Sequence, residues 1–442
     1  MTTHEDRLLL SSAQRRLWYM GQVDPDNPAY LISAAVRLSG PLDEKVLHSS
    51  IEAVSARHEP LRYRIDSVKG EPVLSIAELP QVPLRRIRTP VTVEPRDISV
   101  WLDEALQREC TVPMALNGRL FRAALLDAGR DSHVLLLTTH HIVSDAWSLG
   151  ILITEIFRFY EAATCGEAPK LPVLAATYRD FVEWEVEWLR QSESVDQAQF
   201  WREQLANAPV LDLRAQRLQP GDLTTGAEQL AFDVCPDAAR AFLKVARDNG
   251  ATPFMALLAA WAAALEHYSG QDDICVGAAV STRPSSEFEP LIGLFVNLVV
   301  MRVDLAGHLS FNDLVVLARR AALAALQHRT LPFDRVVRAV NPPRVSSRTP
   351  LFQTVLSMQP ARAGEIRLAD LVVSPMPLRR SVSQYELSLD FELAADNSLH
   401  ATLTYRDSLF DRQRLEEIVC SLASFIDAAG ADPSASLGRL FS

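Results

Sequence analysis

Apolar positions along this chain recur at two spacings, and the two alternate from one end to the other. Three-to-four-residue spacing predicts helices over 11–20, where Ser11 supplies a hydroxyl cap, and over 42–57, 147–160, 178–190, 238–247, 253–268 and 411–428. Every-second-residue or continuous apolar runs predict strands over 30–38, 61–65, 72–76, 120–126, 133–139, 229–234, 274–280, 295–303 and 351–358. Two further alternating runs, 385–393 and 398–405, flank the short break 394–397 and predict a hairpin. The stretch 255–265 is almost wholly apolar and rich in alanine, but Glu266 and His267 end it well short of a bilayer span, so it reads as a buried helix. Phe181, Trp184 and Trp188 fall on one side of 178–190 as a packing stripe.

This mixture of periods, without tandem repeats or low-complexity tracts, points to an α+β protein with two lobes of similar make-up, each a sheet covered by helices. The tract 165–177, rich in Pro, Gly and Ala, marks the boundary between them. We therefore expect an N-terminal lobe over 1–178 and a C-terminal lobe over 179–442.

Composition narrows the function. With 442 residues, 48% of them hydrophobic, the chain has material for two or three cores. Its 44 basic and 55 acidic residues leave a net charge of -11, which argues against nucleic-acid or anionic-membrane partners. Cys110, Cys165, Cys235, Cys275 and Cys420 are scattered and odd in number, as expected for reduced thiols in the cytoplasm. Residues 1–7 carry charges of both signs and lead into Leu8-Leu9-Leu10 without the apolar core of a signal peptide.

The candidate chemistry sits at a strand-to-helix junction, in the run His140-His141-Ile142-Val143-Ser144-Asp145 followed by Ala146-Trp147-Ser148. Imidazole titrates near neutral pH, so a histidine fixed at the end of a rigid strand can take a proton from a reacting amine or hydroxyl. Taken alone the pair is weak evidence, and a structural or merely exposed reading outweighs a catalytic one; Asp145 also has an ordinary explanation as the N-cap of the next helix. A metal site is disfavoured, because adjacent side chains diverge and no Cys-x-x-Cys or His-x-x-x-His partner accompanies them.

The wider pattern resembles the condensation domains of nonribosomal peptide synthetases. Ser12-Ala13-Gln14-Arg15-Arg16-Leu17-Trp18 resembles the first motif of that family and Arg57-His58-Glu59-Pro60-Leu61-Arg62 the second. His140 to Asp145 matches the His-His-x-x-x-Asp core. Tyr178-Arg179-Asp180-Phe181 with Trp184, Ile292-Gly293-Leu294-Phe295-Val296-Asn297, Leu331-Pro332-Phe333-Asp334 and Arg348-Thr349-Pro350-Leu351-Phe352 resemble the fourth to seventh motifs, in order. A closing segment around Tyr405 and Phe410 extends the likeness over almost the whole chain.

The resemblance implies two chloramphenicol-acetyltransferase-like lobes in a V-shaped pseudo-dimer with a central tunnel. An acyl group would arrive as a thioester on the phosphopantetheine arm of a carrier protein, and no cofactor would be bound by the chain itself. The acceptor would be a small amine or alcohol, or a second carrier-bound substrate. His141 would contact the nucleophile as base or positioner and His140 would be structural. Asp145 would pair across the lobes with Arg283, in Ser281-Thr282-Arg283-Pro284. Ala146, Trp147, Ser148, Asn297, Ser357, Gln359 and Ser388 would line the tunnel or bind substrate.

Three positions depart from the family pattern: Ala146 replaces a usual glycine, Leu298 follows Asn297 where a small polar residue is common, and Glu386 stands where aspartate is common. With no adenylation or carrier segment in these 442 residues, the chain reads as a free-standing enzyme meeting its acylated partner in trans. The competing readings are an acyl-coenzyme A-dependent O- or N-acyltransferase and a non-catalytic recruitment domain. A heterocyclising relative would carry aspartate in place of His140, and the Ala-Trp-Ser sequence after Asp145 does not fit an epimerase.

Overall fold

The computed structural model describes residues 8–129, 131–213, 226–307, 309–343, 348–359, 364–394 and 396–441. The mixed charges of residues 1–7, and position 395 in the 394–397 break, lie outside them. In chain order the elements begin α1 (Ser12–Val23), β1 (Leu31–Ser39), α2 (Glu44–Arg57), β2 (Tyr63–Val68), β3 (Glu71–Ile76), β4 (Leu84–Ile87) and α3 (Ile98–Thr111). Then come β5 (Phe121–Asp127), β6 (Ser132–His140), α4 (Ala146–Cys165), α5 (Tyr178–Trp188), α6 (Ser192–Gln204), β7 (Ala227–Val234), α7 (Pro236–Asp248) and α8 (Pro253–Ser269). The chain continues through β8 (Asp273–Ser281), β9 (Val296–Asp304), α9 (Phe311–Gln327), α10 (Phe333–Val340), β10 (Thr354–Gln359), β11 (Ile366–Leu368) and β12 (Leu371–Met376). It closes with β13 (Leu387–Leu393), β14 (Leu399–Arg406), α11 (Arg412–Ala431) and α12 (Leu437–Leu440).

These elements form two compact units, neither continuous in sequence. The first takes Met1–Gln191, Ser281–Val296 and Ala363–Arg379; the second takes Ser192–Val280, Asn297–Arg362 and Arg380–Ser442. The lobe boundary expected after residue 178 falls at the first residue of α5, whereas the whole helix packs in the first unit: Tyr178, Phe181 and Val182 are buried there with Phe288, Leu294 and Phe295.

In the first unit a six-stranded sheet has the order β11-β12-β1-β6-β5-β4. Its central strand β6 is apolar without alternation because both faces are covered. Leu135 and Leu137 join Leu47, Ile51 and Val54 of α2 and Leu152 and Ile156 of α4 on one side. On the other, Val134 and Leu136 meet Leu102, Ala105 and Leu106 of α3. The last residue of this strand is His140, so the candidate site hangs from a strand packed on both faces.

In the second unit the order is β7-β14-β13-β10-β8-β9, with β10 parallel to both β13 and β8. Against it lies α8, started by a Thr252 capping box with Pro253 and stopped by Gly270 at φ 72°. Met255 to Leu265 of α8 are all buried, as their composition predicts, and the Trp261 indole N–H donates to Thr354 Oγ1 at 3.0 Å. The 385–393 and 398–405 runs pair as the antiparallel β13 and β14.

One glycine is fixed by packing. A Cβ on Gly293 would sit 2.2 Å from Cδ2 of Tyr178, a ring that is itself fully buried. Gly293→Ala should therefore overpack the first unit by about 1–3 kcal/mol. Thermal unfolding should show a midpoint several degrees lower; an unchanged midpoint would show that the Tyr178 ring is free to move aside.

Candidate active site

The site is built from the turn that ends β6. His140 has extended backbone and its Nδ1 accepts the Ile142 N–H at 3.1 Å, so the side chain caps the single 3-10 turn His141–Val143. It is 6% exposed, and burial, reinforced by the charge of His141, pushes its imidazole down to about 3. A neutral ring with Nδ1 unprotonated is what such a cap requires.

His141 takes the opposite tautomer. Its Nδ1 lies 2.8 Å from the Ser144 carbonyl oxygen, which can only accept, so Nδ1 carries the hydrogen and Nε2 holds the lone pair. Burial lowers its pKa below the ordinary 6.5, opposed by the charge of Asp145 and the Ser144 carbonyl. A neutral imidazole with a free basic nitrogen, held at the end of a rigid strand and half-buried, is fit to accept a proton or a hydrogen bond from a nucleophile.

Asp145 is fully buried and both its carboxylate oxygens are in use. Oδ1 caps α4, accepting the Ser148 N–H at 2.8 Å. Oδ2 accepts the Phe295 N–H at 3.0 Å and faces Arg283 Nη1 at 3.4 Å. The helix-cap and ion-pair readings thus both hold, one oxygen to each. Arg283 lies in the segment Ser281–Val296, which belongs to the first unit, so the pair is internal to that unit rather than across the two lobes.

The rest of the guanidinium is equally committed: Nε donates to the Phe288 carbonyl at 3.2 Å, and Nη2 to the Leu291 carbonyl at 3.1 Å and Ser148 Oγ at 3.2 Å. It also lies 4.0 Å over the Phe295 ring and 5.7 Å from that of Trp147. Burial lowers the Arg283 pKa while Asp145 raises it.

The remaining expected site residues fall into three groups. Ala146 opens α4, is exposed and has no positive φ, so the backbone conformation that would demand glycine is absent. Trp147 is 59% exposed and is held by its indole N–H on the Glu289 carbonyl at 3.1 Å. Ser148, expected to line the tunnel or bind substrate, is fully buried; its hydroxyl donates to the Gly293 carbonyl at 2.9 Å and accepts from Gly293 N–H at 3.1 Å as well as from Arg283.

Asn297, in the second unit, is likewise a clamp. Nδ2 donates to the Arg329 and Leu331 carbonyls, both at 2.8 Å, and Oδ1 accepts the Phe333 N–H at 3.0 Å. That joins the fifth and sixth motifs and leaves no free polar atom for a ligand. Ser357, Gln359 and Ser388 stand on one face of the second sheet, where Ser357 pairs in register with Asp390 and Val355 with Ser388.

Sequence reasoning missed Asp390, to which the Ser357 hydroxyl donates while Gln359 Nε2 donates to Ser357 Oγ at 3.2 Å. Its signal was the alternation of β13, which puts Asp390 two residues after Ser388 on the same face. Also missed was Gln14, whose Nε2 donates to the Ile142 carbonyl at 2.9 Å. Among the described residues no group of three or more His, Cys, Asp or Glu could hold a metal ion.

Comparison with known proteins agrees with this architecture. Malpinin synthetase of Mortierella alpina is 34% identical over 94% of this chain, and a linear gramicidin synthase of Brevibacillus parabrevis is 34% identical over 99%. The chain spans only 5% and 9% of those two proteins. The crystal structure of the X-domain from teicoplanin biosynthesis superposes with a TM-score of 0.87 at 24% identity, covering 99% of this chain and 98% of the other. The condensation domain model matches residues 4–442, and the chain therefore belongs to the condensation-domain family of nonribosomal peptide synthetases, with its two chloramphenicol-acetyltransferase-like lobes.

Proposed function

We propose that this chain is a condensation enzyme that transfers an acyl group from a carrier-protein phosphopantetheine thioester to an amine or alcohol, forming an amide or ester. The observation that carries the reading is the His141 ring, held by the Ser144 carbonyl in the tautomer that leaves Nε2 free. In the reaction the acceptor nitrogen or oxygen attacks the thioester carbonyl carbon, the acceptor proton passes to Nε2, and the carbon–sulfur bond breaks. The proton then returns to the departing pantetheine thiolate. The thioester is already activated, so no acyl-enzyme is needed. Bringing two substrates together supplies proximity, worth up to roughly 7–11 kcal/mol when well oriented. An alcohol needs the base more than an amine, for which orientation by Nε2 suffices.

A carrier acting in trans and a cytoplasmic setting complete the reading, the latter supported by five free cysteines. Among the described residues no helix is long and apolar enough to cross a membrane. A recruitment role is the second reading, because an X-domain of the same fold was solved in complex with OxyB. The intact His140, His141 and Asp145 set favours chemistry over recruitment alone.

His141→Ala should lower kcat by about a hundredfold or more with an alcohol acceptor, the range for loss of a general base. Because burial depresses the His141 pKa below 6.5, the neutral base persists at pH 7 and is lost only as the medium becomes more acid than that value. The wild-type rate should therefore be flat through neutrality and fall on the acid side, and a near-normal rate for the alanine variant would refute the assignment.

The Asp145–Arg283 pair supports this machinery without touching substrate in our reading. Removing either partner leaves a buried charge uncompensated, so Asp145→Ala and Arg283→Ala should each lose about 3–5 kcal/mol in denaturant unfolding. A loss under about 1 kcal/mol in both, the level of an exposed pair, would show that the pair contributes little.

The donor class is tested by presenting one acyl group on a carrier protein and on coenzyme A to the enzyme with a panel of amines and alcohols, and reading products by mass. Carrier delivery should give the larger specificity constant. Equal constants would make the protein a coenzyme A-dependent acyltransferase, and no product from either donor would favour recruitment.

A further inference from the structure

The turn that carries His141 cannot hold itself. A 3-10 helix of three residues, His141–Val143, encloses one backbone hydrogen bond, from Ser144 N–H to the His141 carbonyl at 3.3 Å. Three of its other backbone groups are held by side chains. The Ile142 N–H donates to His140 Nδ1, the Ser144 carbonyl accepts from His141 Nδ1, and the Ile142 carbonyl accepts from Gln14 Nε2 at 2.9 Å. Two of these three partners belong to the histidine pair itself. The third comes from 128 residues away.

Gln14 is fully buried and both ends of its amide are engaged. Oε1 accepts the Ser11 N–H at 3.1 Å, completing the capping box of α1, while Nε2 reaches the turn. The helix it stands on is itself anchored. Glu185 of α5 accepts the Ser12 N–H at 2.7 Å, and the Tyr178 hydroxyl lies 3.2 Å from Ser11 Oγ and donates to the Leu294 carbonyl at 2.9 Å. Leu17 and Trp18 of α1 pack in the same buried cluster as Ile142 and Val143.

We infer that Gln14 is a positioning residue for the condensation reaction: its amide ties the Ile142 carbonyl to α1 and thereby fixes the turn that aims His141 Nε2. The inference rests on the proposed role of His141. Loss of the donor would orphan the Ile142 carbonyl in a dry interior and free the turn to rotate. The Ser144 carbonyl that selects the His141 tautomer lies two residues further along the same turn, so the imidazole would move with it.

Two substitutions separate this role from the helix cap. Gln14→Glu keeps an oxygen for the Ser11 N–H but places an acceptor against the Ile142 carbonyl. Gln14→Met has the length of the side chain and neither polar group. Each variant, and His141→Ala and the Gln14→Met/His141→Ala double variant, would be assayed with an acyl-loaded carrier protein and the acceptor from the panel that the wild type turns over best. Thermal melting would confirm folding.

Misaiming the base should lower kcat about ten- to a hundredfold in both Gln14 variants with KM for the acceptor nearly unchanged. The double variant should be no slower than His141→Ala, because a residue acting through His141 has nothing left to aim. Normal kcat in Gln14→Met beside a crippled His141→Ala would overturn this inference and leave the base reading standing. Losses that multiply in the double variant would overturn it too. A His141→Ala enzyme as fast as wild type would overturn the base reading and, with it, the coupling.

Discussion

A carboxylate with no exposure to water must have both its oxygens answered, and Asp145 meets that demand by binding two parts of the chain at once. One oxygen receives the first turn of α4 and the other receives the Phe295 N–H and the Arg283 guanidinium. The second set comes from a segment about 140 residues further along, which leaves the second unit between β8 and β9 to pack in the first. The group that starts α4 therefore also holds the 281–296 segment against it. Ser148, Gly293 and Tyr178 reinforce the junction, and the absence of a Cβ at residue 293 lets the Tyr178 ring come close enough to bond the Leu294 carbonyl.

How much of this was legible depended on whether the determining forces are local. Strands β1, β5 and β6 and helices α1, α2, α4 and α8 were readable because burial imposes a period on them, and the Ser11 hydroxyl cap marks the start of α1. Helix α6 escaped notice: Ser192–Gln204 is mostly polar and places few apolar residues besides Val195, Phe200 and Trp201. So did the four-residue β4, Leu-Arg-Arg-Ile, and β12, where Pro375 sits in register with Val36 inside a sheet. Strand 351–358 began late, at Thr354, since Leu351 adopts a positive φ of 72° that no extended strand allows.

The site divides along the same line. Motif order names His140, His141, Asp145 and Arg283, and the structure gathers all four in the first unit. Motif membership did not say which neighbours face a ligand. Ser148 and Asn297 look like polar wall residues in sequence, yet their polar atoms are consumed by backbone groups far along the chain, and only coordinates reveal such partners. Gln14 is the converse case, a residue whose local signature announces a helix cap while its other end holds the His141–Val143 turn.

The same reasoning explains why two adjacent histidines can differ so completely. The chain passes from extended backbone at His140 into a tight turn, so the two side chains meet opposite ends of that turn. The first meets its unsatisfied N–H groups and must present a lone pair, which fixes Nδ1 as acceptor; the second meets its terminal carbonyl and must present a hydrogen, which fixes Nδ1 as donor. One ring is thereby spent on the backbone, and the other is left with a basic Nε2 at the edge of the core. Any side chain that accepts a hydrogen bond at position 140 could cap the turn in this way, and aspartate, the residue expected there in heterocyclising relatives, is among the best N-caps. Position 141 is more restricted: the side chain donates to the Ser144 carbonyl, and in the reaction proposed above it would also accept from the acceptor substrate, a pair of roles that the two nitrogens of a neutral imidazole divide between them.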